Sequence, residues 1–152
     1  MEDGRGIDRN EKQAAQEYRR AAGQSYPDGM AALARCYEHG VGVERNPYLA
    51  ADLYDRAARR GHVRAAYALG NMLLSGDAIG QDPARALELY QQAAQAGHMG
   101  ALRQVGRCYQ KGKGCQKDEA KAFDCFRRSA EGGDGPAAVA LGSVSYTHLT
   151  LP

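Results

Sequence analysis

The sequence predicts an all-α fold, a solenoid of stacked antiparallel helix pairs, and two observations carry that prediction. Good helix formers such as Ala, Arg, Gln, Glu and Leu dominate the 152 residues, while β-branched residues are few. The chain also repeats one pattern every 36 residues without a gap. One pair of short helices buries too little apolar surface to be stable alone, so the repeated pairs are expected to stack and share a continuous core.

The register of the repeat is set by Asn46, Asp82 and Asp118, which open similar segments 36 residues apart. One step back along the chain gives Asn10 as the start of the first repeat. This register divides the chain into the end of a truncated upstream repeat (1–9), three complete repeats (10–45, 46–81 and 82–117), a partial fourth repeat (118–142) and a tail that leaves the pattern (143–152).

Each repeat is expected to open with a first helix. Its Asn or Asp is a typical N-cap, and Pro47 and Pro83 then occupy the first helical position, where proline is tolerated. An apolar face follows, at positions four residues apart. Its members are Ala14, Tyr18 and Ala22, then Ala50, Tyr54 and Ala58, then Ala86, Tyr90 and Ala94, and finally Ala122, Phe126 and Ala130. Gly61, Gly97 and Gly133 suit the left-handed residue that ends such a helix.

A second helix is expected near Pro27, Val63, Met99 and Pro136 in the four repeats. Its core positions are Leu33, Leu69, Val105 and Leu141. Gly70, Gly106 and Gly142 lie inside this helix, where glycine costs about 1 kcal/mol relative to alanine. We infer that two helices cross there too closely for a larger side chain.

The loop after the second helix repeats as well. Gly40, Gly76 and Gly112 are expected to end that helix. The fourth residue of "GVGV", "GDAI" and "GKGC" is apolar and is expected to pin the loop to the core; these residues are Val43, Ile79 and Cys115.

Read together, these columns give the pattern A…YxxAA…G…A…LG…YxxGxGV, which resembles the Sel-one-like repeat, a relative of the tetratricopeptide repeat. The resemblance covers residues 10–142 and implies a right-handed superhelix of antiparallel helix pairs. It also implies a role as a protein–protein adaptor, since members of this family mostly gather other proteins into complexes. Ser25 and Ala34 depart from the pattern, because the other repeats have glycine there, so the first inter-helix turn is expected to differ slightly.

The two ends raise separate expectations. The pattern fails from Ser143 onward, with Ser145 and His148 in columns that call for Tyr or Leu and for Gly. The segment 144–152 resembles translated sequencing-adapter read-through, so we treat 143–152 as a non-native tail; a divergent helix that caps the array is the alternative. At the other end, Gly4, Gly6 and Ile7 match the loop residues of later repeats, so the chain is expected to be a fragment of a longer array.

Composition argues against several classes of protein. Lys and Arg exceed Asp and Glu by 20 to 18, so there is no clustered positive charge for a nucleic acid. No apolar run is long enough to span a bilayer, so we expect no membrane insertion in this part of the protein. The sequence assigns no cellular compartment.

Cysteine and histidine side chains receive structural interpretations. Cys36, Cys108, Cys115 and Cys125 do not recur with a disulfide spacing, and we read them as small buried apolar residues. His62 and His98 share one column with Asp134, which favours polar roles at helix starts over a metal site. We expect neither a metal nor a cofactor.

The chain is not expected to be an enzyme, because no nucleophile, zinc or phosphate-loop motif occurs in it. We expect a protein or peptide partner to bind the concave surface of the superhelix, which the exposed side of the first helices would form. The residues proposed for that contact are Gln16, Arg20, Asp52, Arg56, Arg59, Glu88, Gln92, Asp124 and Arg128. Two alternatives stay open, a fragment of a cysteine-rich β-lactamase-like repeat enzyme and an RNA-binding helical-repeat protein.

Overall fold

The structure is a computed structural model that describes residues 2–142. That range contains α-helices and no strand. The helices are α1 (Glu2–Gly23), α2 (Pro27–His39), α3 (Pro47–Arg59), α4 (Val63–Ser75), α5 (Pro83–Gln95), α6 (Met99–Lys111), α7 (Glu119–Glu131) and α8 (Gly135–Leu141). The expected non-native tail, 143–152, with Ser145 and His148, lies outside the described residues.

The helices form an α-solenoid, as predicted. The first helices of the repeats are α1, α3, α5 and α7, and the second helices are α2, α4, α6 and α8. Each helix packs mainly against its neighbours in the chain, and the starts of α2, α4, α6 and α8 are spaced by 36 residues. The core therefore runs along the array, with one large cluster from Met30 to Cys125 and a smaller one around Phe126, rather than forming a single globular centre.

The predicted N-caps of α3, α5 and α7 are confirmed. The side-chain oxygens of Asn46, Asp82 and Asp118 each accept a hydrogen bond of 3.1 Å from the backbone N–H three residues on. Pro47 and Pro83 lie at the start of α3 and α5. A backbone N–H at this position would have no acceptor within the helix, so its absence in proline costs no hydrogen bond. Each of these helices therefore begins where its own sequence specifies.

The second helices use the same device with a different residue. The Nδ1 atoms of His62 and His98 accept from the backbone N–H groups of Ala65 and Ala101, at 3.1 and 2.9 Å. A carboxylate oxygen of Asp134 does the same at the start of α8. The polar helix-start role predicted for this column is confirmed.

The expected helix start at Asn10 is wrong, because α1 runs without interruption from Glu2 to Gly23. In the later loops, Gly42 and Gly114 pack on the first helix of their own repeat, where a Cβ would overlap backbone atoms of Glu11 in α1 and of Pro83 in α5. At Gly4 and Gly6, which occupy the corresponding columns, the structure has no such turn. The backbone continues as helix instead.

The predicted close crossing of helices is confirmed at two glycines. A Cβ on Gly70 would lie 2.8 Å from Cε1 of Tyr90, and one on Gly106 would lie 2.8 Å from Cε1 of Phe126. Both rings are fully buried. The missing side chain lets α4 approach α5, and α6 approach α7, closely enough to bury the aromatic ring of the next repeat.

The turn between α1 and α2 keeps the geometry of the others despite its serine. Ser25 has φ +65°, in the left-handed region where Gly61, Gly97 and Gly133 lie at φ +89° to +96°. The expected difference in this turn is therefore one of strain rather than of path, since a residue with a Cβ is disfavoured there.

We predict that Gly70→Ala destabilises the protein by about 1–3 kcal/mol, because the added methyl group overlaps the buried ring of Tyr90. Gly23→Ala is the matched control, since a Cβ there meets no atom within 4 Å. Urea unfolding followed by circular dichroism measures both changes. Equal stability of the two variants would contradict a tight crossing.

We predict that Ser25→Gly stabilises the protein by about 0.5–1 kcal/mol, because glycine adopts a positive φ without the steric cost of a Cβ. The reverse exchange, Gly61→Ser, is expected to lower the free energy of unfolding by a similar amount. Denaturant midpoints of the two variants test the pair. A Ser25→Gly variant less stable than the parent chain would count against strain at this turn.

We predict that the stability of the fold decreases in mild acid because of His98. Burial lowers the pKa of His98 below its ordinary 6.5, and protonation would also remove the acceptor that caps α6. Since the unfolded chain then binds the proton more tightly, this stabilisation is complete above pH 6.5 and is lost as the pH falls below it. His98→Asp, which copies Asp134, is expected to lose less stability than the parent between pH 7.5 and about 5.5, as measured by urea unfolding.

Candidate functional site

The residues proposed for partner binding all lie on the side of α1, α3, α5 and α7 that is not packed in the core. We call this surface the first-helix surface. Its proposed members are exposed except for Asp124, which is half-buried; they are Gln16 and Arg20 on α1, Asp52, Arg56 and Arg59 on α3, Glu88 and Gln92 on α5, and Asp124 and Arg128 on α7. The surface therefore carries acids and bases along the whole array.

Two acid–base pairs form between members of the proposed set, each within one helix. The Arg56 Nε lies 3.3 Å from Oδ2 of Asp52, and the Arg128 Nη1 lies 3.8 Å from Oδ2 of Asp124. Both pairs have the acid four residues before the base, the order that supports a helix. These contacts are solvent-exposed, so each contributes only a few tenths of a kcal/mol to stability.

The junction between α3 and α5 is closed by contacts that the sequence alone did not single out. The Arg85 Nη2 on α5 lies 3.2 Å from Oδ1 of Asp55 on α3, and the Arg85 Nη1 lies 3.1 Å from Oε2 of Glu88. Both hydrogen bonds raise the pKa of the Arg85 guanidinium, and the bond to Glu88 has the larger effect. The Gln92 amide also donates a 2.8 Å hydrogen bond to the backbone oxygen of Ala58, so two links tie these first helices together.

The next junction, between α5 and α7, is open. It forms a groove of about 690 Å³ that we call the α5–α7 groove. Its floor consists of Leu102, Val105, Tyr109 and Cys125, and its polar rim includes Gln91, Gln95, Asp118, Lys121, Asp124 and Arg128. Two of the nine proposed binding residues, Asp124 and Arg128, therefore border a concavity large enough for peptide side chains.

Arg56 and Arg59 border a second, smaller cleft. Its volume is about 400 Å³, and Ser25, Met30 and Arg60 complete its lining. The Arg59 Nε is held 2.9 Å from Oδ2 of Asp55. The proposed residues are thus spread over successive junctions rather than brought to one point. One sequence signal could have pointed to these junctions. The acidic residue at Asp55 is replaced by Gln91 in the same column of the next repeat.

The cysteines confirm the structural interpretation. Cys36, Cys108 and Cys125 are buried, Cys115 is half-buried, and all four are free thiols. Burial raises the pKa of Cys108 to about 11 and raises that of Cys125 as well. Both side chains are therefore neutral thiols at physiological pH and behave as small apolar groups.

Residues 2–142 offer neither a cluster of metal ligands nor a membrane-spanning helix. In that range, no three side chains among His, Cys, Asp and Glu converge closely enough to hold a metal ion. Of the helices described there, none has both the length and the apolar character needed to cross a bilayer.

Solved structures with the same fold include two with appreciable sequence identity. A Sel1 repeat protein from Oxalobacter formigenes is 31% identical with a TM-score of 0.83, over 87% of this chain and 54% of its own. The protective antigen c5321 of uropathogenic Escherichia coli, which has the SLR fold, is 32% identical with a TM-score of 0.84, over 93% of this chain and 30% of its own. The chain thus spans about half of the first protein and less than a third of the second.

Cysteine-rich protein B of Helicobacter pylori shares the fold at 20% identity, with a TM-score of 0.68 over 89% of this chain and 97% of its own. A comparison with curated proteins gave no match.

The family model for the Sel1 repeat matches residues 1–26, 27–62, 63–98 and 100–134. Its complete units begin with a second helix and continue into the first helix of the next repeat, the two helices that cross closely at Gly70 and Gly106. The 36-residue period is the same as the one found in the sequence. The two descriptions differ only in the residue at which each repeat is taken to begin. The chain belongs to the Sel1 repeat family.

Proposed function

We propose that this chain is a protein–protein adaptor module that binds a partner protein or peptide through its first-helix surface, which would be the concave face of the superhelix. The observation that carries the proposal is the division of labour within each first helix. One side is buried, as Tyr54 and Tyr90 show at 2% and 0% exposure, and the other presents a row of polar side chains to solvent. Repeats related by one period offer such a row at regular intervals, which suits an extended partner.

The charge pattern favours a protein partner over RNA. The exposed bases Arg56, Arg59 and Arg128 each have a carboxylate within 4 Å, so they are partly neutralised within the chain. An RNA-binding surface would need bases free to neutralise successive phosphates. Membership of the Sel1 repeat family supports an interaction module in the same way, and the likeness to cysteine-rich protein B extends to the fold alone.

The proposal is tested by selecting peptides from a random display library on the immobilised chain and measuring their affinity by fluorescence anisotropy. Truncating two charges of the row, Asp52→Ala with Glu88→Ala, is expected to weaken binding by about tenfold or more, because interface side chains that matter each contribute about 1 kcal/mol. The matched control removes two exposed charges from second helices, Arg64→Ala with Arg107→Ala. Peptides that lose affinity only with the control pair would overturn the proposal, as would salt-sensitive binding of a single-stranded RNA in place of peptides.

A further inference from the structure

The α5–α7 groove is open because four side chains differ from those at the α3–α5 junction. One period separates the compared residues, which occupy the same columns of the repeat. Going from the closed junction to the open one, Asp55 becomes Gln91, Arg85 becomes Lys121, Leu89 becomes Cys125 and Gln92 becomes Arg128. Each exchange removes either a contact between two first helices or part of the side-chain volume that fills the α3–α5 junction.

The exchanges leave one cation of the groove without an acidic partner. Arg85 is held by Asp55 and Glu88, whereas Lys121 forms no ion pair within 4 Å with any carboxylate among residues 9–142. The Lys121 ammonium lies 5.3 Å from the ring centroid of Tyr109, above the floor of the groove.

The two acidic residues of the rim are held in different ways, one by arginines and the other by a backbone N–H group. The Asp124 carboxylate lies 2.8 Å from Nη2 of Arg127 and 3.8 Å from Nη1 of Arg128. The Asp118 side chain caps α7 by accepting from the backbone N–H of Lys121. Asp118 keeps its negative charge while it caps α7, and Arg128 already has a carboxylate within 4 Å, so Lys121 is the rim cation available to pair with a ligand carboxylate.

The floor of the groove is apolar and has gained room. Cys125 replaces the leucine of the preceding repeats and is 8% exposed, as a neutral thiol. Leu102, Val105 and Tyr109 complete this floor. A partner's aliphatic side chain placed there would lose contact with water, which is the main favourable contribution to such binding.

We propose that the α5–α7 groove is the specificity site of the adaptor, and that it binds an extended peptide segment in which an acidic residue is followed by a large aliphatic one. The partner's carboxylate pairs with Lys121, and its aliphatic side chain lies on Val105, Leu102 and Cys125. This inference rests on the proposed function, since it names the kind of partner and the place on the first-helix surface. The α3–α5 junction takes no such segment, because Arg85 is already neutralised there.

The test uses a blocked peptide, acetyl-Gly-Ser-Gly-Glu-Leu-Gly-Ser-Gly-amide, titrated into the nitrogen-15-labelled chain. We expect amide shifts to change around Tyr109, Lys121 and Arg128 and not around Arg85. Replacing the peptide's Glu by Gln is expected to weaken binding by about fivefold, and replacing its Leu by Ala by about tenfold. Replacement of the Glu by Lys should abolish the shifts.

Two variants of the protein copy the closed junction into the open one. Gln91→Asp supplies the missing acid to Lys121, and Cys125→Leu refills the floor; each is expected to weaken binding at least about fivefold while the denaturant midpoint stays equal or rises. Asp55→Gln, the same exchange in reverse at the closed junction, is the control and should leave binding at the α5–α7 groove unchanged.

Equal binding of the Glu and Lys peptides, full binding by both closing variants, or no shift with any peptide would each overturn this inference. The proposed function fails separately. If display-selected peptides depend on Asp52 and Glu88 but are indifferent to Gln91→Asp and Cys125→Leu, the adaptor role stands and the α5–α7 groove is not its specificity site.

Discussion

The fold depends on one repeated contact, in which the aromatic residue of a first helix packs against a small residue of the second helix before it. Tyr90 lies against Gly70 and Phe126 against Gly106, and both rings are completely buried. The Tyr90 hydroxyl donates a 2.6 Å hydrogen bond to the side-chain oxygen of Asn71, so this hydroxyl keeps a hydrogen-bond partner although the ring is buried. This contact sets how closely the second helix of one repeat approaches the first helix of the next. The loop between these two helices must therefore be tight enough to allow that approach.

Because that contact occupies one side of each first helix, the opposite side is free to vary. Asp55 and Arg85 link two first helices, whereas Gln91 and Lys121 at the same columns do not. The backbone repeats at both junctions, and only the side chains decide whether a junction is closed or forms a groove. The buried and the exposed residues therefore lie on different sides of the same helix, so the exposed surface can change without disturbing the core.

Tyr18 shows the nearest-neighbour character of this packing. Tyr18 occupies the column of Tyr54 and Tyr90, yet it is 38% exposed while they are buried. Within residues 2–142 no second helix precedes α1 to cover it. Beside it, Ala14 and Cys36 help to line a largely apolar cleft of about 380 Å³. The same residue type is thus a core residue or a surface residue according to whether a neighbouring repeat is present.

Interactions between residues close in the sequence determined the period, the helices and their caps. An N-cap such as Asp82 needs only the backbone N–H groups of its own first turn, and a C-cap such as Gly76 needs only its own left-handed conformation, so both can be read without knowing the fold. A glycine inside a helix likewise predicted the close crossing at Gly70, because glycine lowers helix stability and its presence implies a compensating contact.

The tertiary structure alone decided the events that involve distant partners. Asn10 lies within α1 instead of starting a helix, although its residue type is the same as that of the N-cap Asn46. The bridge from Arg85 to Asp55 joins side chains 30 residues apart in the chain, and its absence at Lys121 is what leaves the α5–α7 groove open. Helical periodicity assigns each residue to a side of its own helix, but which residues meet across a junction depends on how the helices pack.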